Sequence, residues 1–442
     1  MRKNSVLVWS WVVALGGFLF GFDTAVISGA EKSIQQYWNL SVFEHGLTIS
    51  IALIGTVIGS LLGSRPCDKF GRKNTLYFVA AAYLISSLGT ALAQSWYMFL
   101  VFRFLGGLGV GASSVTAPIY ISEVSPADRR GRLVGLFQFN VVLGILVSYL
   151  SNYLLSQTGE SSWRLMLGVQ AVPSFIFLIL IRFIPESPRW LILKKRAIDK
   201  ALPILKAINP LNYENELVAI ENAHMDVNGP LSDHLFSGKY KTPIVLAVLF
   251  AFFNQVSGIN AIIYYAPRIF EMAGLGAHSS LLSTVGIGMI NFIFTLLGIN
   301  IIDKVGRRIL MLVGSFGLIA ALFLVAFTFY LGRFSGFAIP IYVMVFIAFF
   351  AFSQGAVIWV FISEIFPNEV RAKGQTLGSS THWIMAALIA FCFPYLAERL
   401  GGAPTFFFFG FMMVLQLIFV WRFMPETKGK SLEQIESNII LH

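Results

Sequence analysis

Charge is scarce in this chain. Only 12% of its 442 residues are Asp, Glu, Lys or Arg, about half the usual share of a soluble domain, and the mean hydropathy is +0.74. So little charge excludes a water-exposed globular surface. Cysteine is nearly absent: Cys67 and Cys392 are the two, too far apart in the layout to pair, so neither a disulfide nor a metal framework is expected. Nucleotide loops are missing as well. Gly106, Gly107, Gly109 and Gly111 in RFLGGLGVG lack the dinucleotide spacing and read as close helix packing. Met424 stands where a phosphate loop ending in Gly429-Lys430-Ser431 would need its first glycine. With no nucleophile–base or metal constellation in view, an enzyme is not expected, nor any metal or cofactor.

What the chain has instead is long apolar runs. Twelve are long enough to cross a hydrocarbon core of about 30 Å: 6–28, 46–64, 75–93, 97–118, 133–153, 165–184, 243–265, 280–300, 309–331, 338–362, 376–396 and 403–424. The fold class expected is an all-α polytopic membrane protein. The first run is too long for a signal-peptide core and lacks a cleavage site, so it should remain as a membrane helix. Asn39-Leu40-Ser41 reads as a chance match to a short glycosylation motif.

The net charge of +10 would suggest nucleic acid were the basic residues clustered without order. They lie on one side. Arg2 and Lys3 precede run 1; Arg65, Lys69, Arg72 and Lys73 separate runs 2 and 3; Arg129, Arg130 and Arg132 follow run 4. Lys304, Arg307 and Arg308 follow run 8, Arg371 and Lys373 follow run 10, and segment 185–242 is basic. The opposite loops hold only Lys32, Arg164, Arg268, Arg333 and Arg399. Basic residues gather on the cytoplasmic side of membrane proteins, so both termini are expected there and no nucleic-acid partner is expected.

The polar segment 185–242 divides the runs six and six, and the halves carry matching marks. CDKFGRK (67–73) answers IDKVGRR (302–308), with Asp68 and Asp303 235 residues apart. ISEVSPADRRG answers ISEIFPNEVRAKG, with Glu123–Glu364 and Arg130–Arg371 each 241 apart; FIPESPRW answers FMPETKGK at an offset of 240. An even number of spans per half makes these parallel repeats, a layout of rocking-bundle transporters with substrate between the halves. A sensor could use the same scaffold. The expected domains are a first bundle (1–184), a cytoplasmic linker with short helices (185–242), a second bundle (243–425) and a tail (426–442).

The ordered set DKFGRK, RFLGGLGVG, PIYISEVSPADRRG, PESPRW, NQVSGINAIIYYAP, SEIFPNEVRAKG and PETKGKSLE resembles the sugar porter branch of the major facilitator superfamily over essentially the whole chain. The resemblance implies two six-helix bundles that alternate access to a monosaccharide. It also implies a cytoplasmic charge network that holds the bundles together when the cavity faces outward. The residues in question are Asp68, Arg72, Glu123, Arg130 and Glu186 in the first half and Asp303, Arg307, Glu364, Arg371 and Glu426 in the second. Solvated surface charge is the plainer alternative, since an exposed pair contributes about 0–1 kcal/mol.

Asp23 stands inside run 1, in GFLFGFDTAVISGA, and Arg103 inside run 4. At 1.5 Å per residue they lie about 26 Å and about 20 Å up from the cytoplasmic side, within reach of a long arginine. A charge at that depth costs about 2.5–3.5 kcal/mol. Pairing relieves it, and so does a proton: protonated Asp23 loses its attraction for Arg103 and ionised Asp23 regains it. The resemblance assigns the matching acid to proton coupling, with the proton as coupling ion. A static pair joining two helices is the alternative.

Sugars offer hydroxyls and apolar ring faces, which amides and indoles complement. Asn254, Gln255 and Asn260 of run 7, Asn291 of run 8, Gln138 of run 5, Trp359 of run 10 and His382-Trp383 of run 11 are the candidate substrate-binding residues. Gly258 permits a break in run 7 that would turn its amides to one side. Single amides also serve as helix–helix glue. Asn254-Gln255 departs from the family's usual Gln-Gln, His382 from an amide, and Ile145 is apolar where some pentose-binding relatives carry Gln. The expected function is proton-coupled symport of a hexose or pentose by a monomer in the lipid bilayer of a plasma or inner membrane. The alternatives are an uncoupled facilitator, an inositol-type polyol transporter or a sugar-sensing receptor, the last disfavoured by a tail of about eighteen residues after run 12.

Overall fold

The computed structural model describes residues 5–126, 129–159, 161–226, 235–236, 238–332, 336–366 and 370–428. Among them the regular structure is helical, and twelve helices are long and apolar enough to cross a membrane. In order, helix 1 is Ser5–Tyr37, helix 2 Val42–Leu62, helix 3 Arg72–Leu92, helix 4 Trp96–Glu123, helix 5 Arg132–Leu155 and helix 6 Ser162–Phe183. Then come helix 7 Lys241–Met272, helix 8 Ala277–Val305, helix 9 Arg307–Leu331, helix 10 Ala338–Glu364, helix 11 Lys373–Arg399 and helix 12 Gly402–Phe423. Short helices at Pro188–Leu193, Ile198–Ile208 and Tyr213–Asp226 occupy the linker.

Local chemistry sets where the helices start. Ser41 and Glu44 form a reciprocal cap: the Ser41 hydroxyl accepts from the Glu44 amide at 3.3 Å, and Glu44 Oε2 accepts from the Ser41 amide at 2.8 Å. That pairing of S-x-x-E satisfies two amides the first turn leaves free, and it occupies the serine of the 39–41 motif. Ser95 caps helix 4 through the amide of Met98. Large apolar side chains such as Phe78, Val101 and Phe316 stay more than 60% exposed, which suits lipid rather than water.

By mutual contact the chain forms two compact units. The first comprises Met1–Thr24, Ile54–Ser148 and Arg164–Leu231; the second comprises Ala25–Leu53, Tyr149–Trp163 and Ser232–His442. Helix 1 therefore changes unit one residue after Asp23.

Inside the first unit, helices 1 and 5 approach through glycine. A Cβ on Gly21 would lie 1.9 Å from the Val141 carbonyl oxygen, and one on Gly144 would lie 2.1 Å from that of Phe18. Bare backbone at such crossings lets helices meet closely. The second unit packs a core of Phe250, Val357, Phe361, Phe419 and their neighbours from helices 7, 10 and 12. Two of its helices are irregular. Gly258 adopts φ 86° and ψ 10°, the left-handed conformation, and splits helix 7 into Lys241–Val256 and Ile259–Met272. Residues Ala351–Gly355 form a π turn in helix 10, a local widening frequent at functional sites.

Candidate functional site

The centre of the first unit is an ion pair. Arg103 Nη1 donates to Asp23 Oδ1 at 2.9 Å, and the residues are 2% and 3% exposed. Helix 1 supplies the acid and helix 4 the base. Gly106, one turn beyond Arg103, keeps the space open: a Cβ there would lie 2.4 Å from Ser86 Oγ and 3.8 Å from Asp23 Oδ1. Arg103 Nε is buried without a hydrogen-bond partner among the described residues, so the guanidinium relies on this one carboxylate. Gln138 and Ile145 belong to this unit too, half-buried and buried respectively.

The centre of the second unit is polar but uncharged. The break at Gly258 brings the helix 7 amides together. Gln255 Nε2 donates to Asn254 Oδ1 at 2.8 Å, Asn260 Nδ2 donates to Gln255 Oε1, and the His382 ring nitrogens lie 3.1 and 3.2 Å from Gln255 Nε2. Two indoles flank the imidazole, with ring centroids at 4.8 Å for Trp359 and 4.9 Å for Trp383. Trp359 is 38% exposed whereas Trp383 is buried. Asn254 Nδ2 is buried and finds no partner among the described residues. Asn291 stands apart from this network: its Oδ1 accepts from Thr295 one turn along the same helix, at 3.5 Å.

At the helix ends nearest the termini, each unit carries the same latch. Arg72 grips Glu123 with two bonds, Nε at 2.9 Å and Nη2 at 3.0 Å, and reaches Asp68 at 3.3 Å. Arg307 grips Glu364 at 3.2 and 2.8 Å and meets Asp303 at 2.9 Å. Such forked pairs are stronger and more directional than single bonds. Glu186 accepts from the amides of Arg72, Lys73 and Ser187, and Glu426 from those of Arg307, Arg308, Thr427 and Lys428. Both acids thus cap a helix N-terminus, where exposed amides favour a negative charge. The glycine before each helix, Gly71 at φ 95° and Gly306 at φ 102°, has no side chain to collide with that carboxylate.

Arg130 is not a partner of Glu123; its Nε donates to the Ser122 carbonyl at 3.1 Å. The side chain of Arg371 lies outside the described residues. Outside the membrane spans, burial drives Glu186 above the ordinary carboxyl value despite its amide bonds. At Glu426 burial pushes the same way, but the four amides outweigh it and the net shift is downward.

Sequence reasoning overlooked two clusters. Gln354 in the π turn donates to Gln416 at 2.8 Å, and Gln416 donates to Ser315 at 3.2 Å, all three buried. Amides inside apolar runs were the available signal. At the far end of helix 1, Glu31 meets His45 and Arg268: Glu31 Oε2 lies 2.7 Å from His45 Nε2 and accepts from Arg268 Nη1 at 3.3 Å.

Twelve membrane-length helices, a latch repeated in two halves and buried polar centres within the spans define a twelve-helix, two-repeat membrane protein. The comparisons give the family. The sugar (and other) transporter family matches residues 9–439, and the chain belongs to it, within the sugar porters of the major facilitator superfamily; it is a transporter, not an enzyme. It is similar to the arabinose-proton symporter of Bacillus subtilis (38% identity over 98% of this chain and 94% of that one). It is also similar to the D-xylose-proton symporter of Escherichia coli K12, with 33% identity over 99% and 96%. Among solved structures it resembles the E. coli xylose transporter XylE in an inward-open conformation, at TM-score 0.88 and 32% identity, covering 98% of this chain and all of that one.

Proposed function

We propose that this protein carries a monosaccharide, a hexose or a pentose, across a cell membrane together with protons, by alternating access between its two bundles. The buried Asp23–Arg103 pair is the observation that supports this most. Arg103 keeps its charge, so the pair is neutral only while Asp23 is ionised. A proton on Asp23 removes the counter-charge of a guanidinium that has no second acceptor among the described residues, and helix 1 is freed from helix 4. Proton occupancy then biases a helix–helix contact, which is what coupling requires. Similarity to relatives named for arabinose–proton and xylose–proton symport points the same way.

For the sugar, Asn254, Gln255, Asn260 and His382 offer donors and acceptors beside the indoles of Trp359 and Trp383, and Asn254 Nδ2, without a partner among the described residues, offers a donor for a hydroxyl. Gln138 in the first unit and Asn291 on helix 8 are further candidates for contact with the sugar. The latches at Asp68, Arg72, Glu123, Glu186, Asp303, Arg307, Glu364 and Glu426, with Arg130 and Arg371, act as the cytoplasmic gate. The halves 1–184 and 243–425 are the moving bodies. Both termini face the cytoplasm, as the distribution of basic residues indicates, and a monomer in the plasma membrane suffices.

Proteoliposomes holding the purified protein test this. With the outside acid, a labelled pentose or hexose accumulates above its external concentration, and a protonophore abolishes the excess. Asp23→Asn loses accumulation yet keeps exchange of labelled for unlabelled sugar. Equal final uptake with and without the gradient would make the protein a facilitator instead.

A further inference from the structure

On the face opposite the termini, three ionisable groups come together inside the second unit. Glu31 is 1% and His45 0% exposed. Arg268 Nη1 donates to Glu31 at 3.3 Å and to Gln35 Oε1 at 3.1 Å, and lies 3.2 Å from His45 Nε2. They come from separate elements: Glu31 near the end of helix 1, His45 from the start of helix 2 and Arg268 from the second segment of helix 7. The other charged and titratable groups facing the corner are few. Lys32 and Glu271 pair with each other, Glu44 is engaged with Ser41, and Tyr265 packs its ring on His45 at 6.0 Å. Helix 11 contributes Phe391 against Gly46 and Phe393 against Tyr265.

The geometry fixes one proton. At 2.7 Å, His45 Nε2 and the Glu31 carboxylate must share a hydrogen. A nitrogen that donates to Glu31 cannot also accept from Arg268. With that proton alone, the corner holds one negative carboxylate, one positive guanidinium and a neutral imidazole, for no net charge. His45 Nδ1 is then a lone pair, buried without a partner among the described residues. A second proton, arriving from water on that face, would add to Nδ1. It would create a buried N–H with no acceptor and leave two cations beside one anion. Each consequence is costly where the carboxylate and the imidazole are buried, even though the Arg268 side chain is 23% exposed.

We propose that His45, with Glu31 and Arg268, is a proton-binding site distinct from Asp23, and that these helix ends pack together only while it holds a single proton. Acid on that face therefore opposes closure. The inference rests on the transport reading for its purpose, since with this face outward it becomes a brake on loading from strongly acid surroundings. The test needs neither sugar nor gradient.

Ala30, fully buried next to Glu31, is replaced by Cys in a Cys392→Ser background and labelled with a maleimide in detergent across pH 5.5–7.5. Cys67 stays silent because burial raises its thiol to about 11. The rate is divided by that of the same protein carrying His45→Gln, which cancels ordinary thiol chemistry. The ratio should rise at least about fivefold between pH 7.5 and pH 5.5, the low end of coupling between linked sites. A flat ratio overturns the proposal and leaves the Asp23 reading untouched. Should His45→Gln fail to elute as a single species, His45→Asn takes its place. Glu31→Gln supplies an independent check: it strips Arg268 of its counter-charge, so Ala30→Cys must label fast at every pH, and slow labelling would equally refute the idea.

Discussion

The two units are alike at their ends and unlike in their middles. Each closes its terminus-side end with a forked Arg–Glu pair, an acid one turn away and a second acid capping a helix. In the spans they diverge. Gly21-Phe22-Asp23 in helix 1 and Gly258-Ile259-Asn260 in helix 7 lie 237 residues apart, close to the offset of the latches. The first unit fills this place with an acid held by Arg103; the second fills it with an amide held by Gln255. The matching glycines do different jobs as well. Gly21 lets helix 5 come close on an unbroken helix, whereas Gly258 turns left-handed and breaks its helix. A repeat whose latches match but whose centres differ fits a division in which one half handles charge and the other neutral hydroxyls.

Removing one partner from each centre should give the largest contrast. Arg103→Leu leaves Asp23 buried without its counter-charge, at a cost of about 3–5 kcal/mol. Gln255→Leu removes only neutral bonds, typically about 1–3 kcal/mol where a buried partner is left unsatisfied. Thermal unfolding in detergent reads both. Adding Asp23→Asn to Arg103→Leu should recover most of the loss; no recovery would mean the two residues do not act as a pair. The same contrast holds in function. Gln255→Leu should raise the sugar concentration for half-maximal uptake about tenfold or more while keeping the accumulation ratio, whereas Asp23→Asn does the reverse.

Alanine at the matched glycines comes next. Gly21→Ala places a methyl against a backbone carbonyl that cannot swing away, so helices 1 and 5 must part, costing about 1–3 kcal/mol. Gly258→Ala meets the side chain of Phe409, with its nearest atom at 2.6 Å, and carries a left-handed penalty of about 1–2 kcal/mol. The first should disturb unfolding without changing sugar preference; the second should alter which sugar competes best, because it re-aims Asn254, Gln255 and Asn260. Unchanged competition by Gly258→Ala would detach the break from recognition.

Much of this was legible in the sequence because a membrane leaves few ways to hide polarity. All twelve spans stand out by hydropathy, and Asp23, Arg103 and the helix 7 amides stand out as polar residues inside apolar runs. Helix length was less legible: run 1 ends at residue 28 while helix 1 reaches Tyr37, since hydropathy records what lipid needs, whereas the helix runs on as a mixed stretch that buries Glu31 and Ile34 and exposes Lys32 and Tyr37. The Glu31–His45–Arg268 corner escaped for that reason. Each member lies at or beyond the edge of a run and reads as a loop charge until helices 1, 2 and 7 are packed. Pairing was hidden too. Glu123 lies 7 residues from Arg130 and 51 from Arg72, yet it takes the distant arginine, because the ends of helices 3 and 4 meet side by side while Arg130 turns back onto Ser122.

The finest test asks whether the latches are as alike as their geometry. Glu186 is held above the ordinary carboxyl value by burial, so its folded form prefers a proton more than the unfolded chain does; its contribution is full below the unfolded value and is lost as pH rises through the folded one. At Glu426 the burial is outweighed by the four backbone amides, so the sign reverses: its contribution is present above the unfolded value and lost as pH falls through the folded one. At pH 7, therefore, Glu186→Gln should leave the unfolding midpoint unchanged or raise it, and Glu426→Gln should lower it, each by no more than about 1 kcal/mol. Between pH 7 and pH 4 the gap between the variants should narrow, since the variant that keeps Glu186 gains as that carboxyl takes up its proton, whereas the variant that keeps Glu426 has no matching gain. Identical midpoints at pH 7 would mean that the amides govern both sites equally, and the resemblance between the two latches would then extend to their electrostatics.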